Sequence, residues 1–281
     1  MASAHATMNS RRRTQAAQTR FPLDRFRVTI ALVVVGIAAI STATAAALIA
    51  FQPWPQGRTP PTAAIIDQLA ITDPNPDFLR ATTARLERAG YSVDYYPPEA
   101  VTVELYRTLP KRGYRLVLIR SHSSDLVLTP EDENGNESYV APSIFTNERY
   151  SEKRHVREQW QNRLLIESYT DGRESSGRFF GILPAFVSDS SVGRFKGTTV
   201  VLMGCSGLVS DSLAQAFIDK GARDFVSWDA RVTAAHTDAA TSVFVEHLVT
   251  DGGMSADRAV ALTMAEIGPD PAFGARLLAY P

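Results

Sequence analysis

Two short runs, Val117-Leu118-Ile119 and Val200-Val201-Leu202-Met203, are apolar at every position. A strand with one wet face alternates in polarity, so runs of this kind belong to strands covered on both faces, in a mainly parallel sheet between layers of helices. The flanking sequence has the matching rhythm. Residues 63–69 read as a buried strand, 77–89 as a helix stopped by Gly90, 91–96 as an alternating strand, 101–109 as a helix and 115–120 as a third strand. From 198 the alternation resumes, with strand 198–203, helix 210–220, strand 224–228 and helices 237–250 and 255–267. Ser210, Thr237 and Ser255 are residue types that cap helix starts, and Gly221 and Gly252 stand where helices end. The expected fold class is α/β, a three-layer sandwich around a mainly parallel sheet.

Residues 124–195 interrupt the rhythm and read as an insertion. Within it the acidic cluster 131–137 is a turn, the charged stretch 148–165 is expected to be helical, and 178–183 is expected to be a strand. Asp132, Asn134 and Gly135 echo part of a calcium-loop spacing, but the remaining ligands are missing. The reading there is a solvated turn, and no metal is expected.

Residues 28–51 carry no charge, and at 1.5 Å per residue they are long enough to cross the roughly 30 Å of a bilayer core as one transmembrane helix. Six arginines precede them (11, 12, 13, 20, 25 and 27) against the single acid Asp24, which keeps that side cytoplasmic. The division that follows is a basic cytoplasmic tail 1–27, a transmembrane helix 28–51, a proline-rich linker 52–61, and an α/β domain 62–281 outside the cytoplasm. Such a chain sits in the plasma membrane as a single-pass protein. A signal peptide cleaved near Ala43-Thr44-Ala45 is the competing reading and would make the domain secreted. A buried core helix fits least, because the run has flanking arginines and no polar face.

A net charge of −1 over 281 residues leaves no basic excess to neutralise phosphates, so nucleic acid is not an expected partner. The single cysteine, Cys205, excludes an intramolecular disulfide and acts as a thiol.

Both apolar strands run into polar residues, Arg120-Ser121-His122-Ser123 after the first and Gly204-Cys205-Ser206-Gly207 after the second. The carboxyl edge of a parallel sheet is where ligands bind. A cysteine nucleophile needs a base, and histidine titrates near neutral pH. A lone cysteine or histidine is more often packing than chemistry; the conjunction of the two at strand ends is what points to catalysis. The backbone N–H groups of Ser206, Gly207 and the next helix start are expected near the sulfur. His155, His236 and His247 read as surface, helix-cap and helix-face residues. An α/β-hydrolase elbow is excluded because Met203 stands where glycine is needed, and no nucleotide-binding glycine loop follows a strand.

An apolar strand ending in His122-Ser123 and a later one ending in Cys205 resemble the caspase-like cysteine peptidases, which include caspases, gingipains, clostripain, separase and bacterial CHAT domains. The segment from Asp211 to Ala222, then Phe225-Val226-Ser227-Trp228, a helix and Ala259-Val260-Ala261-Leu262, is similar in pattern to the end of a CHAT domain. Ser123 stands where that family commonly has glycine, and Gly204 where alanine or serine is common. The resemblance implies a caspase-like sheet, Cys205 as nucleophile, His122 as proton donor to the leaving amine, and the N–H groups of Ser123 and Cys205 as oxyanion donors. It also implies that Ser227, Trp228 and Asp229 bind the P1 side chain, with Asp229 favouring a basic one, and that no cofactor is used. The expected function is a membrane-anchored cysteine endopeptidase, or peptidase-like protein, working on an extracytoplasmic protein or peptide substrate. The alternative is a catalytically inactive protein-binding domain of the same fold.

Overall fold

The computed structural model describes residues 60–128, 139–168, 177–250 and 253–281. The chain from Arg58 onward is one compact unit. The expected tail 1–27, span 28–51 and most of the linker 52–61 lie outside the described residues, as do the acidic cluster 131–137 and Gly252. Among the described residues no helix is long and apolar enough to cross a membrane.

In chain order the elements are β1 (Thr62–Asp67), α1 (Pro76–Arg88), β2 (Ser92–Tyr96), α2 (Val103–Thr108), β3 (Leu116–Arg120), β4 (Ser123–Leu128) and β5 (Tyr139–Arg149). They continue as α3 (Val156–Trp160), β6 (Leu164–Glu167), β7 (Phe179–Ile182), α4 (Pro184–Asp189), β8 (Thr198–Leu202) and α5 (Ser212–Asp219). The last are β9 (Ala222–Trp228), α6 (Ala234–Val249), α7 (Ala256–Ile267) and β10 (Leu277–Tyr280).

Six strands form the main sheet in the order β10-β9-β8-β3-β1-β2. All neighbours are parallel except β10, which closes one edge antiparallel to β9. The pleat sends successive side chains to opposite faces. Ala64, Ile66, Val117, Ile119, Val200 and Leu202 pack with apolar residues of α2, α4 and α5 on one side. Ala63, Ile65, Leu116, Leu118, Val201 and Met203 pack with Phe78, Leu86, Phe244 and Val260 of α1, α6 and α7 on the other. The mainly parallel sheet and its two helical layers agree with the expectation drawn from the apolar runs.

A second sheet, in the order β4-β5-β7-β6, is antiparallel throughout. Its Ile144, Leu164, Phe180 and Ile182 join the first of the two cores. The insertion thus adds a layer of its own, beginning at Ser123, one residue past His122.

The charged stretch 148–165 is not one helix. β5 runs to Arg149, only Val156–Trp160 is helical, and β6 follows. Its charges are held by tertiary partners: the buried Glu148 accepts the Val103 N–H at 3.0 Å, and Arg154 and His155 Nε2 both lie 2.7 Å from its Oε1. Read along the sequence, such charges mimic a solvated helix face. α6 starts earlier than expected because Thr233 caps it, its hydroxyl accepting the His236 N–H, while the Thr237 hydroxyl accepts Trp228 Nε1–H inside the core. α5 starts at Ser212 with Asp211 before it and no side-chain cap, so Ser210 is not its cap. Ser255 does cap α7. The edge strand β10 was not anticipated; its four residues are too few for a period to show.

The end of β3 is fixed by a buried ion network. The Arg120 side chain is 1% exposed. Its Nη1 donates to Asp67 Oδ1 at 2.9 Å, and its Nε and Nη2 make a forked pair with Asp238 of α6 at 2.7 and 2.8 Å. Nη2 also donates to the Asp73 carbonyl at 2.7 Å, and Asn75 Nδ2 donates to Asp238. Burial works against the guanidinium charge, but Asp238 and Asp67 raise its pKa on balance. One side chain therefore ties β1, β3, the β1–α1 loop and α6 together. Arg120→Ala strands two buried carboxylates and is expected to cost about 3–5 kcal/mol in urea unfolding. Arg120→Lys should recover little of this, because an ammonium cannot reproduce the fork. A loss below about 1 kcal/mol for the alanine variant, the ordinary scale of an exposed pair, would show the network to be incidental.

Candidate functional site

β3 and β8 are paired, with Ile119 opposite Leu202 as the last rung. His122 and Cys205 each stand three residues beyond that rung, so both emerge at the carboxyl edge of neighbouring strands about 4.8 Å apart. The two chain ends remain in contact past the sheet. Met203 N–H donates to the Ile119 carbonyl at 2.8 Å, and the Ser123 hydroxyl donates to the Cys205 carbonyl.

His122 is held from three sides. Its backbone N–H donates to Gln68 Oε1 at 2.8 Å, and its ring lies 5.9 Å from the Phe145 ring. Its Nε2 is 2.9 Å from Thr72 Oγ1, and that oxygen is 3.3 Å from the Leu69 carbonyl, which can only accept. The hydroxyl thus lies between a carbonyl acceptor and a ring nitrogen that donates or accepts according to its tautomer. Gln68, fully buried, also donates from Nε2 to Asn147 Oδ1 at 3.0 Å, which links the end of β1 to β5. Burial pushes the His122 pKa below its ordinary value; Asp73 opposes this and Arg120 adds to it.

Cys205 is partly exposed. Its Sγ donates to the Val232 carbonyl at 3.6 Å. The chain must then bend sharply: Ser206 takes the left-handed conformation with φ of 53° and is buried. A non-glycine residue in that region is uncommon and is held there by its surroundings. Ser206 N–H donates to the Ala230 carbonyl and Leu208 N–H to the Trp228 carbonyl, each at 2.9 Å. The Ser206 amide is thus committed to the end of β9, and α5 starts only at Ser212. The expectation that Ser206 and the next helix start would bring N–H groups to the sulfur is corrected on both counts. Gly204 sits where chains converge, since a Cβ there would come within 2.5 Å of the Ser121 carbonyl and closer still to the Ser123 hydroxyl.

The Ser123 amide fares differently. Phe145 N–H donates to the His122 carbonyl at 3.1 Å, which makes 122 and 145 a hydrogen-bonded pair of the antiparallel ladder. Such pairs alternate, so Ser123 opposite Ile144 is a non-bonded pair and its N–H points to the edge of β4 away from β5. Of the three residues read as substrate-binding, Ser227 and Trp228 are fully buried. The Ser227 hydroxyl donates to the Leu202 carbonyl at 2.8 Å, and Trp228 Nε1–H donates to Thr237. Asp229 is partly exposed, and its Oδ1 accepts the Arg276 N–H at 2.8 Å.

Asp270 secures the loop that faces the sulfur. Its Oδ2 accepts the Thr233 N–H at 3.0 Å and the Thr233 hydroxyl at 2.8 Å, while Oδ1 accepts the Ala272 and Phe273 N–H groups. Burial opposes its charge, but these donors hold the carboxyl below its usual pKa. His236 closes the same corner through Gly268 O at 3.2 Å and its ring against Trp228. His155 belongs to the Glu148 cluster, and His247 Nε2 is 3.4 Å from Glu266. Among the described residues no group of three or more His, Cys, Asp or Glu is arranged to hold a metal. Gln68, Thr72, Val232 and Asp270 escaped the sequence reading. For Gln68 the cue existed: the polar pair Asp67-Gln68 follows the apolar run 63–66, much as Arg120-Ser121-His122 follows Val117-Leu118-Ile119. For Thr72, Val232 and Asp270 there was none, since loops bring them in.

No protein-family model and no curated protein sequence matches this chain.

His122 should titrate below 6.5 in an NMR pH series, the direction set by its burial. A histidine depressed in the fold contributes stability that is complete above the unfolded pKa and is lost as pH falls through the folded one. The stability advantage of the native protein over His122→Asn should therefore shrink between pH 7.5 and 5 in urea melts; an advantage that grows on acidification contradicts this. Gly204→Ala should cost about 1–3 kcal/mol through forced displacement of the β4 start, and a neutral result in the same melts would mean that this edge yields freely.

Proposed function

We propose that this chain is a membrane-anchored cysteine endopeptidase of caspase-like fold, or a peptidase-like protein of that fold, acting on a protein substrate outside the cytoplasm. One observation carries the reading: an imidazole and the chain's single thiol leave paired parallel strands at equal distances past their last rung. The antiparallel edge strand beside five parallel ones, and the helices on both faces, are in keeping with it. The anchor itself is read from the uncharged residues 28–51 and the arginines before them.

In this reading the Cys205 sulfur attacks the carbonyl carbon of the scissile peptide while its proton passes to the His122 imidazole. The carbonyl π electrons move to oxygen, and the resulting oxyanion accepts from the amides of Cys205 and Ser123. The imidazolium then returns the proton to the departing amine, the C–N bond breaks, and a thioester to Cys205 remains for water to hydrolyse. Thr72 holds the ring that takes and returns this proton by its contact to Nε2. Ser227 and Trp228 form the wall under the rim, and Asp229 is the acid of that trio with exposed surface for pairing to a basic P1 side chain.

A second reading, a catalytically inactive protein-binding domain of the same fold, draws on a specific contact. Cys205 Sγ donates to Val232 O, so the thiol must turn before it can meet a base or a substrate.

Alkylation separates the two readings. If Cys205 is a nucleophile served by His122, iodoacetamide labels it faster than a free thiol at mildly acidic pH, His122→Ala slows the labelling at least about tenfold, and Cys205→Ala abolishes cleavage of a peptide library. Slow labelling that is the same with and without His122 selects the binding domain.

A further inference from the structure

Trp160 is 86% exposed. Tryptophan is among the most buried side chains on average, because leaving its ring in water forgoes the largest single gain from burial. Val156, one turn earlier on the same face of α3, is 45% exposed, and Ile166 on the adjacent β6 is also 45% exposed. Beside Val156 in the chain Lys153, Arg154 and Arg157 are exposed, as is the acid Glu152. Both arginines are ion-paired, Arg154 to Glu148 and Arg157 to Glu158, yet their guanidinium groups stay open to a further anion. Glu148 and Glu158 lie beneath them, with side chains 4% and 7% exposed, while the arginine side chains remain 57% and 73% exposed.

We propose that this α3–β6 face rests on an anionic membrane surface, with Trp160, Val156 and Ile166 at headgroup depth and Lys153, Arg154 and Arg157 against the lipid phosphates. The chemistry of the face favours lipid over a protein partner. Three apolar side chains fall well short of the roughly 800 Å² that each partner gives to a stable protein interface. An aromatic with short apolar neighbours beside exposed cations is instead the composition that partitions into a headgroup layer. The anchored reading supplies proximity. A span ending near residue 51 and a linker of about ten residues keep the domain within roughly 33 Å of the bilayer, so a contact too weak to recruit a free protein is enough. The inference rests on that reading for proximity alone; the face and its charge are independent of it.

The test uses the full chain reconstituted in vesicles of acyl-brominated phosphatidylcholine, with or without phosphatidylglycerol. Bromine quenches only indoles at membrane depth, and the chain has three tryptophans, of which Trp228 is fully buried. The expected result is a quenched component, present with phosphatidylglycerol, that disappears in Trp160→Phe and in the double variant Lys153→Glu/Arg157→Glu. Identical quenching in the native protein and Trp160→Phe overturns the proposal, as does equal quenching of Trp160 without the anionic lipid. Alkaline carbonate extraction reads the anchor separately. A chain that is released lacks the span, and its flotation with the same vesicles, lost in Trp160→Phe, then tests the face alone.

Discussion

A guanidinium sealed between two carboxylates is an expensive thing for a fold to contain, and Arg120 is at the centre of this one. Its charge is tolerable only with each of its three nitrogens answered, and the answers come from β1, α6 and the carbonyl of Asp73. That requirement fixes the β1–α1 loop against the end of β3. The loop carries Thr72, and Thr72 in turn holds the His122 ring by Nε2. The orientation of the imidazole is therefore a downstream consequence of charge pairing two residues earlier, at the end of β3. Gln68 works in parallel from the other side, holding the His122 backbone and reaching β5 through Asn147.

Around Cys205 the governing constraint is space. The end of β8 meets the start of β4 on one side and the end of β9 on the other, and backbone approaches backbone closely at both. Gly204 admits the Ser121 carbonyl and the Ser123 side chain; Gly207 does the same for Ser227, whose side chain would overlap any Cβ placed there. Ser206 between them accepts a left-handed backbone, repaid by its bond to Ala230. The result is a thiol partly open to solvent on a rigid bend, facing a loop that Asp270 clamps through Thr233. Rigid support of this kind is what a nucleophile needs and what a binding rim needs, so chemistry at the sulfur and not rigidity separates the two functional readings.

The insertion changes what the rim looks like. Four antiparallel strands start immediately after His122 and share a core with the helices behind the main sheet. Their first strand turns the Ser123 amide outward, and their far end, with α3, carries the exposed Trp160. One segment thus contributes a hydrogen-bond donor beside the candidate dyad and, among the described residues, the most exposed aromatic side chain.

The main sheet and its layers were legible because burial on both faces writes itself into consecutive residues: Leu116 to Ile119 and Val200 to Met203 need no partner to be recognised as interior. The strand ends were legible for the same reason, as polarity returns at His122 and Cys205 where the chain leaves the core. Elements whose character comes from distant partners were not. Glu148, Arg154 and His155 read as a solvated helix, although a buried cluster draws them together; β10 is four residues whose only distinction is lying beside β9. The sequence by itself determined that an α/β sheet carries a histidine and a thiol to its carboxyl edge, since local hydrophobic pattern suffices for that. Tertiary structure alone decided that the two strands are neighbours in register, that Thr72 holds the imidazole, and that Val232 receives the thiol proton. Hydrogen bonds between loops far apart in the chain depend on three-dimensional closeness, and no residue-by-residue pattern records them.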